Sequence, residues 1–165
     1  MGPIISLRTE LNEAELINIA DARKWLSSRK RKILDPGFLN ELHKRMFGDL
    51  WKWAGTYRTT ARNIGIDAHR IPVELYHAID NAKYWCANNT FPADVIAIRF
   101  SHRIVAIHPY PNGNGRFCRM IGDLLAIELG QPRFTRAKSI LLIHPKPAKP
   151  ISLRSRQRMP KTSNR

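Results

Sequence analysis

Apolar positions recur at spacings of three and four over several separate stretches of the chain, the period of helices that bury one face. Leu11 and Leu16 flank Asn12 and Glu15, a capping-box-like start with both staple positions filled. This predicts a helix from about 13 to 30, ending in Arg29-Lys30-Arg31-Lys32, where cations suit the negative end of the helix dipole. Asp35-Pro36 repeats the start signal, and Phe38, Leu39, Leu42 and Met46 supply the stripe of a second helix that should stop near Gly48. Trp51, Trp53, Gly55, Tyr57, Thr59 and Thr60 break that period, and their aromatic and β-branched character predicts a short β-hairpin or extended flap at about 56–66. Helical spacing returns from Ile71 to Trp85 through Leu75, Ile79 and Ala82. Pro92 then opens a run that is apolar on most sides, the pattern of a buried central helix, closing at His108-Pro109. Phe117, Met120, Ile121, Leu124 and Leu125 define a last helix, which Gly130 and Pro132 terminate. The expected fold class is an all-α bundle carrying one short flap.

Charge divides the chain into two parts. Of the 28 basic residues, 18 precede residue 129 together with all 13 acidic ones, a net +5, and the other 10 give the final stretch +10. That stretch is rich in proline and loses apolar periodicity after Ile143. It predicts a domain over 1–136 followed by a basic, Pro-rich, disordered tail over 137–165. The tail has no interleaved aromatics and no reading motif, so nucleic acid is expected to bind it only non-specifically, through charge. No apolar run reaches the length of a membrane span, and no basic segment followed by an apolar core opens the sequence. Cys86 and Cys118 lie far apart without a C-x-x-C. A reducing, cytoplasmic setting without membrane insertion is therefore expected.

Chemistry concentrates between the last two predicted helices, in His108-Pro109-Tyr110-Pro111-Asn112-Gly113-Asn114-Gly115-Arg116-Phe117-Cys118-Arg119. Gly113, Asn114 and Gly115 are residue types that tolerate left-handed backbone angles, so their N–H groups can converge on an anion at a helix N-terminus. Arg116 and Arg119, three apart, can add charge-assisted bonds to phosphates. His108 can serve as a base beside them. Taken singly, each is a common structural feature, a turn, a buried histidine or a solvated arginine; together within twelve residues they point to a nucleotide or phosphate site.

That stretch resembles the signature of Fic/Doc proteins, His-Pro-Phe-x-(Asp/Glu)-Gly-Asn-(Gly/Lys)-Arg-x-x-Arg, with Tyr110 in place of Phe. The wider region from Glu10 to about Phe134 resembles the Fic-type subgroup called mobile mystery protein B. The shared segments are Glu10-Leu11-Asn12, Leu42-His43-Lys44-Arg45-Met46-Phe47-Gly48, Trp53-Ala54-Gly55-Thr56-Tyr57-Arg58 and Asn63-Ile64-Gly65. The resemblance implies a helical core with a β-hairpin flap, and a protein adenylyltransferase that moves AMP from ATP to a hydroxyl of a target protein. It implies that His108 deprotonates the attacking hydroxyl, and that the backbone of 113–115 with Asn114, Arg116 and Arg119 holds the phosphates. The flap, with Thr59, Thr60 and Asn63, would align the target segment by strand-like pairing.

The chain also departs from the family pattern. Asn112 stands where the family has the acid that binds Mg²⁺; an amide oxygen can ligate a hard cation but brings no charge, so metal affinity should fall. Thr9-Glu10-Leu11-Asn12-Glu13-Ala14 fits all but the last position of a Ser/Thr-x-x-x-Glu-(Gly/Asn) motif, through which Glu13 would restrain Arg119. Without that contact, restraint would fall to a separate antitoxin, as in toxin-type systems. The abrupt change of composition after Phe134 is what a frameshifted or truncated reading frame would give, and a cooperative melt with high helicity would instead show that the further helices usual in the family are dispensable. The alternatives are a Doc-like phosphotransferase, against which Gly115 rather than Lys weighs, and a catalytically impaired Fic protein acting as an interaction module.

Overall fold

The computed structural model describes residues 3–134, with side-chain surroundings from Thr9 onward. The tail expected over 137–165 lies outside the described residues. Five α-helices make up the fold: α1 (Pro3–Ser27), α2 (Pro36–Phe47), α3 (Ile71–Ala87), α4 (Ala93–Ile107) and α5 (Asn114–Glu128), with a 3₁₀ turn at Ala68–Arg70 leading into α3. The all-α class is as expected. No helix among the described residues is long and apolar enough to cross a membrane.

Helix α4 is the centre of the fold, packed against α3 on one side and α5 on the other, while α1 packs on α2. Its mostly apolar sequence explains that position: Ile96, Ala97, Phe100, Ile104 and Ile107 are all buried. They meet Leu75, Ile79 and Ala82 of α3, Phe117, Ile121 and Leu125 of α5, and Leu39, Leu42 and Met46 of α2 in one core. Helix α2 begins as its sequence dictates. Asp35 is extended and its carboxylate accepts the Phe38 N–H at 2.8 Å, Pro36 occupies the first turn, and Gly48 closes the helix.

Helix α1 differs from expectation at both ends. It starts at Pro3, so Asn12 and Glu13 lie within the helix and the capping box at Asn12 is not formed. Glu15, which that box needs, is buried and spent elsewhere. The helix ends at Ser27 rather than 30, because the Ser27 and Ser28 hydroxyls donate back to the carbonyls of Lys24 and Trp25 at 2.7 and 2.8 Å. Arg31, expected in the last turn, instead folds back over the Trp25 ring, 3.9 Å from its centroid, and donates to the Trp25 carbonyl.

The flap at 56–66 contains no strand; it is an irregular loop with bends. The expected hairpin is replaced because the carbonyls of Thr60 and Ile66 accept from the Arg58 guanidinium instead of from a facing strand.

Candidate active site

The site starts where α4 stops. His108 takes left-handed angles, φ 56° and ψ 60°, and its N–H donates to Ile104 at 3.1 Å, so the chain leaves the helix in a sharp turn ahead of Pro109. A non-glycine residue in this conformation costs about 1–3 kcal/mol and persists only where its surroundings enforce it. Two neighbours do so. The Arg58 Nε donates to the His108 carbonyl at 2.7 Å, and Gly65 of the flap passes so close that a Cβ there would stand 2.5 Å from the Cβ of His108. Burial lowers the His108 pKa most and the positive charge of Arg58 lowers it further; the Val105 backbone opposes them, and Arg62 adds the least. These surroundings favour the neutral ring, the form that accepts a proton.

The loop beyond His108 is fixed from beneath. Tyr110 is fully buried, and its backbone N–H donates to the Asn114 side-chain oxygen at 3.0 Å while its carbonyl accepts from the Asn114 amide at 2.8 Å. Asn114 is thus a clamp on the loop, and what it presents outward is its backbone. The Tyr110 hydroxyl donates to Asn40 at 2.8 Å, which accounts for a tyrosine at a position where an aromatic ring must fill the core. His43 stacks on Tyr110 with ring centroids 3.7 Å apart. Its Nδ1 accepts the Gly55 N–H at 3.0 Å, so the proton sits on Nε2, which is 3.1 Å from the Asn112 carbonyl and donates to it. Burial pushes its pKa down to about 4. Asn40, His43, Arg58 and Glu15 were not read from the sequence as site residues. Only the shared segments around His43 and Arg58 marked those two.

Gly113, at φ 78°, caps α5, and a Cβ there would stand 2.7 Å from the Phe47 ring, so both conformation and space demand glycine. Asn114 and Gly115 are the first helical residues, and the left-handed run expected over 113–115 is confined to Gly113. Gly115 is exposed, with nothing nearer to a Cβ than the Arg119 Nη1 at 3.9 Å, so the helix N-terminus is open to solvent beside a guanidinium. Arg119 is exposed and makes no ion pair among the described residues. Arg116 is half-buried over the Phe47 ring and forms an ion pair with Glu15 of α1. The restraint expected between Glu13 and Arg119 is not made among the described residues. Glu13 is exposed on α1, and the buried acid two residues on holds the other arginine.

Thr59, Thr60 and Asn63 are exposed on the flap. The flap is anchored at its ends, Arg58 N–H to Pro109 at 2.9 Å and Ile66 N–H to Ile107 at 3.4 Å; between these two, no backbone N–H is bonded to another backbone group among the described residues. An extended peptide could pair there.

The residues present do not build a Mg²⁺ site. The Asn112 side-chain oxygen accepts the Gly113 N–H at 2.7 Å, Glu15 is committed to Arg116, and no group of three or more His, Cys, Asp or Glu side chains gathers as metal ligands among the described residues. A hard cation held largely by the phosphates and water would find one neutral oxygen here.

Comparison with known proteins agrees with this geometry. The Fic/DOC family profile matches residues 33–126, more than half of the chain. The protein adenylyltransferase Fic of Nematostella vectensis is 25% identical over 130 residues, covering 74% of this chain and 30% of that protein, so the chain spans about three tenths of that relative's length. The N-terminal FIC domain of the Bep8 protein from Bartonella sp. 1-1C superposes with a TM-score of 0.63 at 16% identity, covering 74% of this chain and 67% of that one. The BepC protein of Bartonella tribocorum, solved with bound AMPPNP, gives a TM-score of 0.60 at 19% identity, over 74% and 69% of the two chains. The solved structures share the fold, the profile spans the helices that build the site, and the chain belongs to the Fic/DOC family.

Proposed function

We propose that this protein transfers AMP from ATP to a Ser, Thr or Tyr hydroxyl of a target protein, with His108 as the base. The observation that supports it most is the juxtaposition of His108, whose surroundings disfavour its charged form, with the open N-terminus of α5 and a flap whose N–H groups between Arg58 and Ile66 bond to no other backbone group among the described residues. The distant relative named as a protein adenylyltransferase and the AMPPNP bound to BepC agree with an ATP substrate. The protein is, in this reading, a toxin acting in the cytoplasm and restrained by a separate antitoxin, as the resemblance to toxin-type Fic/Doc systems implies.

In this reading the flap pairs with an extended target segment and brings its hydroxyl to the His108 ring. The imidazole takes the hydroxyl proton as the oxygen attacks the α-phosphorus. A new P–O bond forms, the α–β bridging bond breaks, and pyrophosphate leaves. The N–H groups that open α5, with Arg116 and Arg119, take up the charge on the phosphate oxygens, the larger part of catalysis in such transfers. Arg116 must exchange Glu15 for phosphate to do so.

The test is incubation of a bacterial lysate with α-labelled or γ-labelled ATP, comparing the protein with His108→Ala. Labelling of protein from the α-position only, abolished in the variant, is the expected result. Labelling from the γ-position alone would point to phosphate transfer, and no His108-dependent label from either would point to an interaction module.

A further inference from the structure

We infer that Arg58 is the positioning residue for His108, fixing the turn that presents the base and tying the flap to the same point. The inference rests on the reading of His108 as the base, but the geometry that carries it does not depend on which group is transferred.

Arg58 is 3% exposed, and its donors are spent on four backbone carbonyls. Nε donates to His108 at 2.7 Å, Nη1 to Thr60 at 2.9 Å, and Nη2 to Ile66 and, at 3.4 Å, to Ile107. Its own backbone N–H adds a fifth bond, to Pro109 at 2.9 Å. Two of those carbonyls, Ile107 and His108, are among the last of α4, which the left-handed turn leaves without helical partners. The other two, Thr60 and Ile66, belong to the flap. One rigid fork thus closes the helix terminus and fastens the flap across it. No carboxylate pairs with this guanidinium among the described residues.

A buried cation without a counter-ion is expensive, and an apolar residue with a backbone turn could close a loop more cheaply. What the charge adds is its action on the base. Burial is the largest influence on the His108 ring; the charges of Arg58 and Arg62 of the flap also disfavour the imidazolium, and the Val105 backbone of α4 favours it. The close pass of Gly65, whose Cβ would also come within 3.0 Å of the Arg58 Nη2, packs flap, guanidinium and base into one unit. Lysine could keep the charge but not the fork, since an ammonium is a point donor that cannot span carbonyls on both sides.

The experiment uses the full chain with Arg58→Gln and Arg58→Lys, each checked by circular dichroism and thermal melting. His108 is titrated by NMR, its signal assigned through His108→Ala, and amide exchange is followed at Ile66. In Arg58→Gln the His108 pKa should rise, whereas in Arg58→Lys it should stay low. Both variants should exchange faster at Ile66. Where AMP transfer is measurable, both should lose turnover, roughly ten- to a hundredfold, with little change in KM for ATP. A lower melting temperature with the Arg58→Gln titration unmoved and turnover kept would make Arg58 a structural staple and overturn the inference. If Arg58→Gln does not fold, Arg58→Lys decides: unaltered Ile66 exchange overturns the inference, and faster exchange with a low His108 pKa supports it. If the wild-type protein transfers no AMP, titration and exchange still read the positioning, so the two failures are distinguishable.

Discussion

Glu15 of α1 and Arg116 of α5 form an ion pair across 101 positions of sequence, and it is the contact by which the N-terminal helix reaches the candidate phosphate site. The carboxylate is buried, and its other oxygen lies 3.5 Å from the Trp51 Nε1. A phosphate arriving at α5 must compete with it for the guanidinium. Glu15→Gln keeps the shape and a Trp51 acceptor while removing the charge. ATP should then bind roughly tenfold more tightly, the scale of one charge-assisted hydrogen bond released. Calorimetric titration of both proteins checks this, and equal affinities would mean that the pair only docks α1.

His43 makes stability depend on pH. Its pKa is about 4 in the folded protein against an ordinary 6.5, so between those values the unfolded chain binds a proton that the folded one refuses. Stability contributed by the neutral ring is complete above about 6.5 and is lost as pH falls toward 4, a loss of about 3 kcal/mol. Urea midpoints at pH 7 and pH 4.5 should differ markedly in the wild-type protein and less in His43→Gln.

Asn112 is the position at which a single substitution should restore a metal ligand. Asn112→Asp can still accept the Gly113 N–H and adds a negative charge at the mouth of the site. Turnover should then saturate at lower Mg²⁺ concentration than in the wild-type protein. Identical Mg²⁺ titrations would show that the side chain has no role in metal binding.

Gly65 should tolerate no side chain. Its φ of 89° is strained for alanine, and the added Cβ would meet His108, the Arg58 guanidinium and the Ile107 carbonyl within 3.0 Å. Gly65→Ala should cost about 1–3 kcal/mol of stability or push the flap off His108. Thermal melting and amide exchange at Ile66 distinguish the two.

Local signals locate all five helices, and the bounds of four of them closely, because their determinants are local. Asp35 and Pro36 start α2 through contacts within one turn, and α4 is apolar on the sides that meet α3 and α5, with Arg99, His102 and Arg103 left on its exposed face. The start of α1 is hidden from the sequence for the opposite reason. Asn12 and Glu15 satisfy a capping pattern, but nothing in sequence distinguishes a glutamate that caps its own helix from one that reaches Arg116. The flap failed as a hairpin because a tertiary contact, Arg58 to Thr60 and Ile66, took the carbonyls that a ladder would use. In the loop, Gly113 was legible from conformational preference, whereas the Asn114 clamp on Tyr110 and the His43 bond to Asn112 exist only once the helices are packed.

The most direct measurement is mass spectrometry of lysate proteins after incubation with the protein and ATP, with His108→Ala in parallel. The expected result is an AMP adduct on Ser, Thr or Tyr of a restricted set of peptides, made by the wild-type protein and absent with the variant. Adducts formed equally by both proteins, or phosphate without AMP, would contradict AMP transfer by His108.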